Sequence, residues 1–383
     1  MKIIHTFVKN WYILIMKSKN IIYNLLFILI FASCAHEDVI IHEESSRTVL
    51  VYMAADNSLT GFDKGNINSM LTGSTKEALN GGNLIVYVDS KDTIPLLIQI
   101  TPQGKNILKG YPGHVNSVSV ETIKEVIEEV KTDFPAKSYG LMLWSHGSNW
   151  FPSDMTFLKA FGQDKSNWME LSQLKEVLAD SSFDFIIFDA CYMAGIEVLY
   201  ELKDKANYIM AAPSEILGSG FPYSKIISHL FKITPDLTGI CDEFYDYYAN
   251  SSTPFATIAL VSTPQLEPLA IATRSIMQEN FDKTEDIELS NLQRYFRPPY
   301  YGMYDFDDYI SRIASEEQYT LFQAALEKAV IYKKNTPSFM TGYSGGYYIN
   351  HFCGLSSFVI RDSYSNPIKK KYTELDWYKA VYQ

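Results

Sequence analysis

Four apolar runs, each stopping at a polar tip, constrain this chain more than any other feature. They are "TVLVYMAAD" (residues 48–56), "GNLIVYVDS" (82–90), "SYGLMLWSHG" (138–147) and "FDFIIFDAC" (183–191). Each is nearly continuous in apolar residues rather than alternating with polar ones, the pattern of a strand buried on both faces. Helical segments separate them. In "VETIKEVIEEVKTDF" (120–134), Ile123, Val126, Ile127 and Val130 recur at helical spacing, and Ser119 precedes them as an N-cap. The alternation continues through a helix at "LSQLKEVLAD" (171–180), the strand "FDFIIFDA", a helix at "AGIEVLYELKD" (194–204) and a strand at "NYIMAAPSE" (207–215). "PLLIQIT" (95–101) reads as a further, shorter strand. Strands alternating with helices predict an α/β fold, a mostly parallel sheet flanked by helices, with ligands bound at the carboxyl ends of the strands.

Beyond about Pro222 the chain becomes helix-rich and Tyr-rich, with strands expected at "ATIALVST" and "GGYYINHF" and a loop at "FRPPYYGMY". The expected organisation is a signal sequence over 1–34, a polar leader over 35–47, an α/β core over 48–222 and a helix-rich C-terminal part over 223–383 packed on that core. The segment "MKSKNIIYNLLFILIFASC" from Met16 carries Lys17 and Lys19, then an apolar run, then small residues, which is a secretory signal with Met16 as the true start. Its uninterrupted apolar run is about a dozen residues, short of the roughly 20 a spanning helix needs. Phe31-Ala32-Ser33-Cys34 resembles a bacterial lipobox, which implies a lipid on Cys34, export, and anchoring to the outer membrane on its surface or periplasmic face. Simple cleavage to a soluble secreted protein is the alternative.

The net charge is -11, and no run of Lys and Arg is longer than the three lysines at 369–371, which argues against nucleic acid and favours a peptide or cationic substrate. With Cys34 assigned to the anchor, Cys191, Cys241 and Cys353 remain, an odd count that makes a poor disulfide framework. Consecutive parallel strands joined by a helix are usually neighbours, so the tips "LMLWSHG" and "IIFDAC" are expected side by side, turning His146 and Cys191 toward one site. Cys191 is then expected to reach thiolate through a nearby imidazole and through a helix opening near Met193. Alone, either residue has an inert reading, the cysteine as a small buried hydrophobe. No zinc-ligand spacing is present.

These residues resemble the clostripain-like cysteine peptidases (peptidase C11) of the caspase-like fold. The likeness rests on "VYMAADNSL", "LMLWSHGSNW", "FDACYMAGIEVLYEL", "APSEILGSGFPYSKI" and the terminal "GLSSFVI…YTELDWYKAVYQ". It implies a caspase-like α/β sheet and a catalytic dyad, with Cys191 as nucleophile and His146 as the acid that protonates the leaving amine. The backbone N–H groups of Gly147 and Cys191 would hold the oxyanion, Gly147 because a side chain there would crowd the approaching carbonyl. Asp189, two residues before the nucleophile, would line the S1 pocket and favour Arg or Lys at P1; its other reading is a turn cap. Ser214, Glu215 and Ser219 are the remaining S1 candidates. Relatives with basic specificity often carry a second acid where Ser219 stands, and Glu215 is the available substitute.

The resemblance also implies self-cleavage between the His and Cys strands, for which Lys159-Ala160 is the candidate bond, the alternative being an ordinary surface lysine. No cofactor is required for the chemistry. Some relatives need calcium; the acidic residues here form no EF-hand-like loop, so a calcium site stays open but is not readable from the sequence. A monomer acting on a protein or peptide substrate is expected. Asp56-Asn57 either orders the site or caps a turn, and Asn149 stands where relatives often have Gly. Two other functions stay open: a non-catalytic tethered module binding basic peptides, and a glycan-binding lipoprotein.

Overall fold

The four apolar runs become neighbouring strands whose successive side chains part to opposite faces. The computed structural model describes residues 45–113, 115–151, 161–180, 182–298 and 302–383. In β1 (Thr48–Ala55) every residue is buried: Leu50, Tyr52 and Ala54 enter one apolar core, and Val49, Val51, Met53 and Ala55 the other. The same division runs through β2 (Asn83–Ser90), which is followed by the antiparallel ribbon β3 (Leu96–Thr101) and β4 (Gly104–Gly110). It recurs in β5 (Tyr139–Trp144) and, after the small ribbon of β6 (Phe161–Asp164) and β7 (Asn167–Met169), in β8 (Phe183–Asp189). The chain then adds β9 (Ala206–Ala211), β10 (Thr257–Ser262), β11 (Met303–Asp305) and β12 (Val330–Asn335).

Nine of these strands form one sheet in the order β12-β10-β9-β8-β5-β1-β2-β3-β4, with the five from β9 to β2 parallel and both edges antiparallel. Helices cover both faces. Val120–Asp133, Leu171–Val177, Ile196–Glu201 and Leu266–Asn280 pack on one, and Phe62–Gly73, Tyr223–Leu230 and Leu237–Ala249 on the other. Ser119 caps its helix as expected, its side chain accepting from Thr122 N. This is the mixed α/β architecture, a large mostly parallel sheet flanked by helices.

The sheet continues past residue 222, because β10, the strand expected at "ATIALVST", and β12 both come from the C-terminal part. "GGYYINHF" supplies Tyr347–Tyr348, which pairs with Ser338–Phe339 outside the main sheet. Cys191, Cys241 and Cys353 are all free thiols. Among the described residues no helix is long and apolar enough to cross a membrane. Cys34 and the signal segment, and the bond between Lys159 and Ala160, lie outside the described residues.

The depth of the strands sets what a truncation there costs. Ile187 in β8 is fully buried, so Ile187→Ala is expected to destabilise by about 2–5 kcal/mol, the range for removing a buried aliphatic side chain. Ile233, 92 % exposed, is expected to tolerate the same change within about 0.5 kcal/mol. Urea-unfolding midpoints of the two variants check both values.

Candidate active site

Parallel pairing brings the two reactive tips together. Trp144 and Asp189 are register partners at the ends of β5 and β8, and His146 and Cys191 each lie two residues beyond them. Gly140 lets the pair approach closely: a Cβ there would come 2.2 Å from the ring of Phe185 on the neighbouring strand. His146 and Cys191 consequently border one cleft of about 310 Å³, whose other walls come from the segment after β9 and from Arg297.

The turn after β8 holds the thiol. Tyr192 takes a left-handed backbone with φ of 65°, a conformation that disfavours a bulky residue, and several tethers keep it there. Its N–H donates to Ser214 O (2.9 Å), its carbonyl accepts from Asn149 Nδ2 (3.0 Å), and its hydroxyl donates to Glu215 Oε1 (2.7 Å). Ala194 N donates to Ala212 O (3.1 Å). The following helix opens at Ile196 rather than near Met193, so Cys191 does not sit at a helix N-terminus.

The surroundings of the thiol also disfavour the expected thiolate. Enclosure in the cleft, reinforced by the Glu215 carboxylate, pushes the Cys191 thiol up to about 12. Its sulfur exchanges hydrogen bonds with Ile216, accepting from the N–H at 3.3 Å and donating to the carbonyl at 3.5 Å. Burial lowers the His146 imidazole, favouring its neutral form, and its Nε2 shares a 2.9 Å hydrogen bond with Ser58 Oγ. No hydrogen bond joins the two side chains. The Cys191 sulfur and the His146 imidazole each rest on a different partner, Ile216 and Ser58.

Gly147 is also required by the packing of the two loops. A Cβ there would lie 2.6 Å from the carbonyl oxygen of Cys191, so the glycine lets the two loops touch. Among the described residues no hydrogen bond engages the N–H of Gly147 or of Cys191. Asn149, with φ of 67°, occupies the left-handed region that glycine favours. Its amide bonds Tyr192 O while its Oδ1 accepts from Trp150 N at 2.9 Å, so it links the His loop to the Cys loop. Gly195 makes room for it: a Cβ would lie 2.1 Å from Asn149 Nδ2.

Asp189 lies on the cleft floor, 4 % exposed. Oδ2 accepts from Phe221 N (3.1 Å) and Tyr223 Oη (3.0 Å), whereas Oδ1 has no hydrogen bond among the described residues. Burial pushes this carboxyl up to about 7. Glu215 borders the same cleft, but Arg297 holds both its oxygens, Nε to Oε1 at 2.9 Å and Nη2 to Oε2 at 2.7 Å. Ser214 and Ser219, expected beside them, do not line it. Ser214 is fully buried against Thr257 Oγ1 at 2.6 Å, and Ser219 turns its hydroxyl to Tyr248 Oη at 3.1 Å.

Asp56 pairs with Lys165 at 3.3 Å, and Asn57 caps the β1 tip by accepting from Leu59 N (2.8 Å) and donating to Ala54 and Gln163 carbonyls. Trp144 borders the cleft, while Trp150 stacks on Phe151 in the core. Ser58, Tyr192 and Arg297 were not legible as site residues. For Ser58 the available signal was its place just beyond β1, the strand next to β5.

Known proteins match this arrangement. The profile of the clostripain family matches residues 51–383. Clostripain from Hathewaya histolytica is 28 % identical over 221 residues, covering 48 % of this chain and 42 % of its own, so the match takes in less than half of that relative's length. An inactive zymogen of a C11 protease from Parabacteroides distasonis superposes with a TM-score of 0.81 at 39 % identity, over 89 % of this chain and 99 % of its own. A secreted C11 cysteine protease from Bacteroides thetaiotaomicron, solved with an irreversible peptide inhibitor, does so at 0.77 and 30 %, over 88 % and 98 %. With a family profile spanning nearly everything after β1 begins, and a sheet and cleft that agree with it, this chain belongs to the clostripain family, peptidase family C11.

Proposed function

We propose that the chain is a cysteine endopeptidase that cleaves after Arg or Lys, with Cys191 as nucleophile and His146 as its proton carrier. The observation that carries this reading is the common position of the two, each two residues beyond a register pair, over a floor carboxylate with one oxygen unengaged. The P1 cation would meet Asp189 Oδ1 in a charge-assisted hydrogen bond. Neutral His146 takes the Cys191 proton as the sulfur attacks the scissile carbonyl carbon, and the N–H groups of Gly147 and Cys191 receive the developing oxyanion. The C–N bond then breaks as His146 passes that proton to the leaving nitrogen. Water, deprotonated by the same imidazole, hydrolyses the thioester and restores the thiol.

The resting site, with its protonated thiol and its imidazole bonded to Ser58, fits a precursor. Self-cleavage after Lys159, ahead of Ala160, is the activating step in this reading. Export through the 1–34 signal and a lipid on Cys34 at the outer membrane complete it, with the protein acting as a monomer. These last features rest on the sequence pattern, and mass spectrometry of the mature N-terminus tests the anchor. Calcium enters no step. The site would also serve a module that binds basic peptides without cutting them, and turnover separates the two.

Fluorogenic peptides with Arg or Lys at P1 are expected to be cleaved by the parent and not by Cys191→Ala, while His146→Ala lowers kcat by about 10²–10⁴-fold. Absence of parental turnover under reducing conditions, with and without calcium, favours the binding module.

The floor carboxyl gives a pH signature. Below about 7 it is protonated and neutral, and above that it is a carboxylate, so KM for Arg and Lys peptides falls as pH rises through about 7. Asp189→Asn is expected to remove this dependence and to raise KM by roughly 10–100-fold at pH 8, the worth of a hydrogen bond to a charged group. Cleavage of Ala or Asp peptides with equal efficiency would discard the assignment of Asp189.

Lys159→Ala is expected to leave one intact chain on a denaturing gel and to lower activity. A fully active parent that migrates intact would overturn self-processing.

A further inference from the structure

Arg297 reaches the cleft from a distant part of the sequence and meets Glu215, the one acid besides Asp189 that lines it among the described residues. Its guanidinium engages Glu215 in a fork, with Nε and Nη2 on the two carboxylate oxygens, while Nη1 donates to Ser344 O at 3.4 Å. Both partners are largely buried, with side-chain exposures of 24 % and 17 %. A two-point pair of this kind has fixed geometry, and its partial burial protects it from the screening that weakens surface pairs. Glu215 Oε1 also accepts from Tyr192 Oη at 2.7 Å. Every oxygen of this carboxylate is thus occupied from within the protein.

We propose that Arg297 is a specificity-determining residue. By holding both oxygens of Glu215 it withdraws that acid from substrate recognition and leaves Asp189, among the described residues, as the carboxylate in the cleft that can receive the P1 cation. The inference deepens the reading of Asp189 as the P1 subsite and rests on it. A lone floor carboxylate attracts either Arg or Lys by charge, and discrimination between them requires a second acceptor placed for the guanidinium fork. The cleft contains that second acceptor, already filled by an arginine of the chain itself.

The experiment uses full-length protein carrying Cys191→Ala, so that binding is read without turnover, and fluorescein-labelled peptides ending in Arg, Lys or norleucine. Fluorescence anisotropy is measured for this protein, for the same protein with Arg297→Gln, and with Arg297→Gln and Glu215→Gln together. Arg297→Gln is expected to tighten the Arg peptide about tenfold, to tighten the Lys peptide less, and to leave norleucine within about twofold; the double substitution returns the Arg peptide to its starting affinity. Thermal unfolding of each variant confirms a folded state, and Arg297→Lys, which keeps the charge but loses the fork, is expected to fall between parent and Arg297→Gln. Equal shifts for all three peptides, no shift, or a gain that survives loss of Glu215 overturns the assignment. Cleavage of the Arg and Lys peptides by protein with Cys191 intact is scored separately, so failure of the peptidase reading is distinguishable from failure of this one.

Discussion

The parallel pairing of β5 with β8 is the constraint on which the site depends. Because both strands run the same way and Trp144 lies opposite Asp189, the residues that follow leave the sheet at one level. A slip of one residue would turn Asp189 from the cleft floor toward the opposite face, since side chains alternate along a strand. Burial on both faces resists that slip. Leu141 and Leu143 enter one core and Met142 the other, while Ile186 and Phe188 face the first and Phe185 and Ile187 the second. The two cores therefore hold the register that gives the cleft its chemistry.

The electrostatics of the cleft follow from the same enclosure. Low access to water raises the Cys191 thiol and the Asp189 carboxyl and lowers the His146 imidazole. Neutral forms of these three groups are thereby favoured. Asp189 is partly compensated by the Phe221 N–H and the Tyr223 hydroxyl, whereas Glu215 is compensated by a full guanidinium. Two carboxylates on one cleft thus reach opposite states of readiness, one with an oxygen open to a cation and one fully engaged.

Much of this was legible in the sequence. The apolar runs marked the central strands, and their tips named His146, Cys191 and Asp189, because chemistry and strand end coincide there. The helix Phe62–Gly73 escaped notice because Asp63 and Asn66, both buried, interrupt its apolar stripe; Asp63 is satisfied by Gly61 N and the Ser90 hydroxyl, partners a periodicity cannot reveal. The helix start after Cys191 was misjudged because Tyr192 adopts a turn that only tertiary tethers support. Ser214 and Ser219 lay in the right segment, but that segment is irregular, and no spacing rule gives the direction of its side chains. Arg297 lies 82 positions from Glu215, a separation that carries no local signal.

The C-terminal part belongs to the site rather than merely sheltering it. Ser356 N donates to Ala194 O at 3.0 Å, and Gly195 and Ser356 form a parallel bridge, so the strand Ser356–Phe358 is stitched to the end of the turn that carries Cys191. Glu197, wholly buried in the following helix and pushed up to about 7 by desolvation, accepts from Phe358 N at 2.8 Å and Ser357 Oγ at 3.3 Å. Met303 of β11 meets Asn149 Nδ2 at 3.2 Å through its sulfur, so the His loop is braced from the same direction. A chain ending at residue 222 would leave Glu197 with those donors missing, and an uncompensated buried acid is a strong penalty. It would also expose the open edge of β9, which β10 covers. His146, Cys191 and Asp189 are contributed before 222, and their two loops are linked by Asn149 from within that part and braced by Met303 and Ser356 from beyond it.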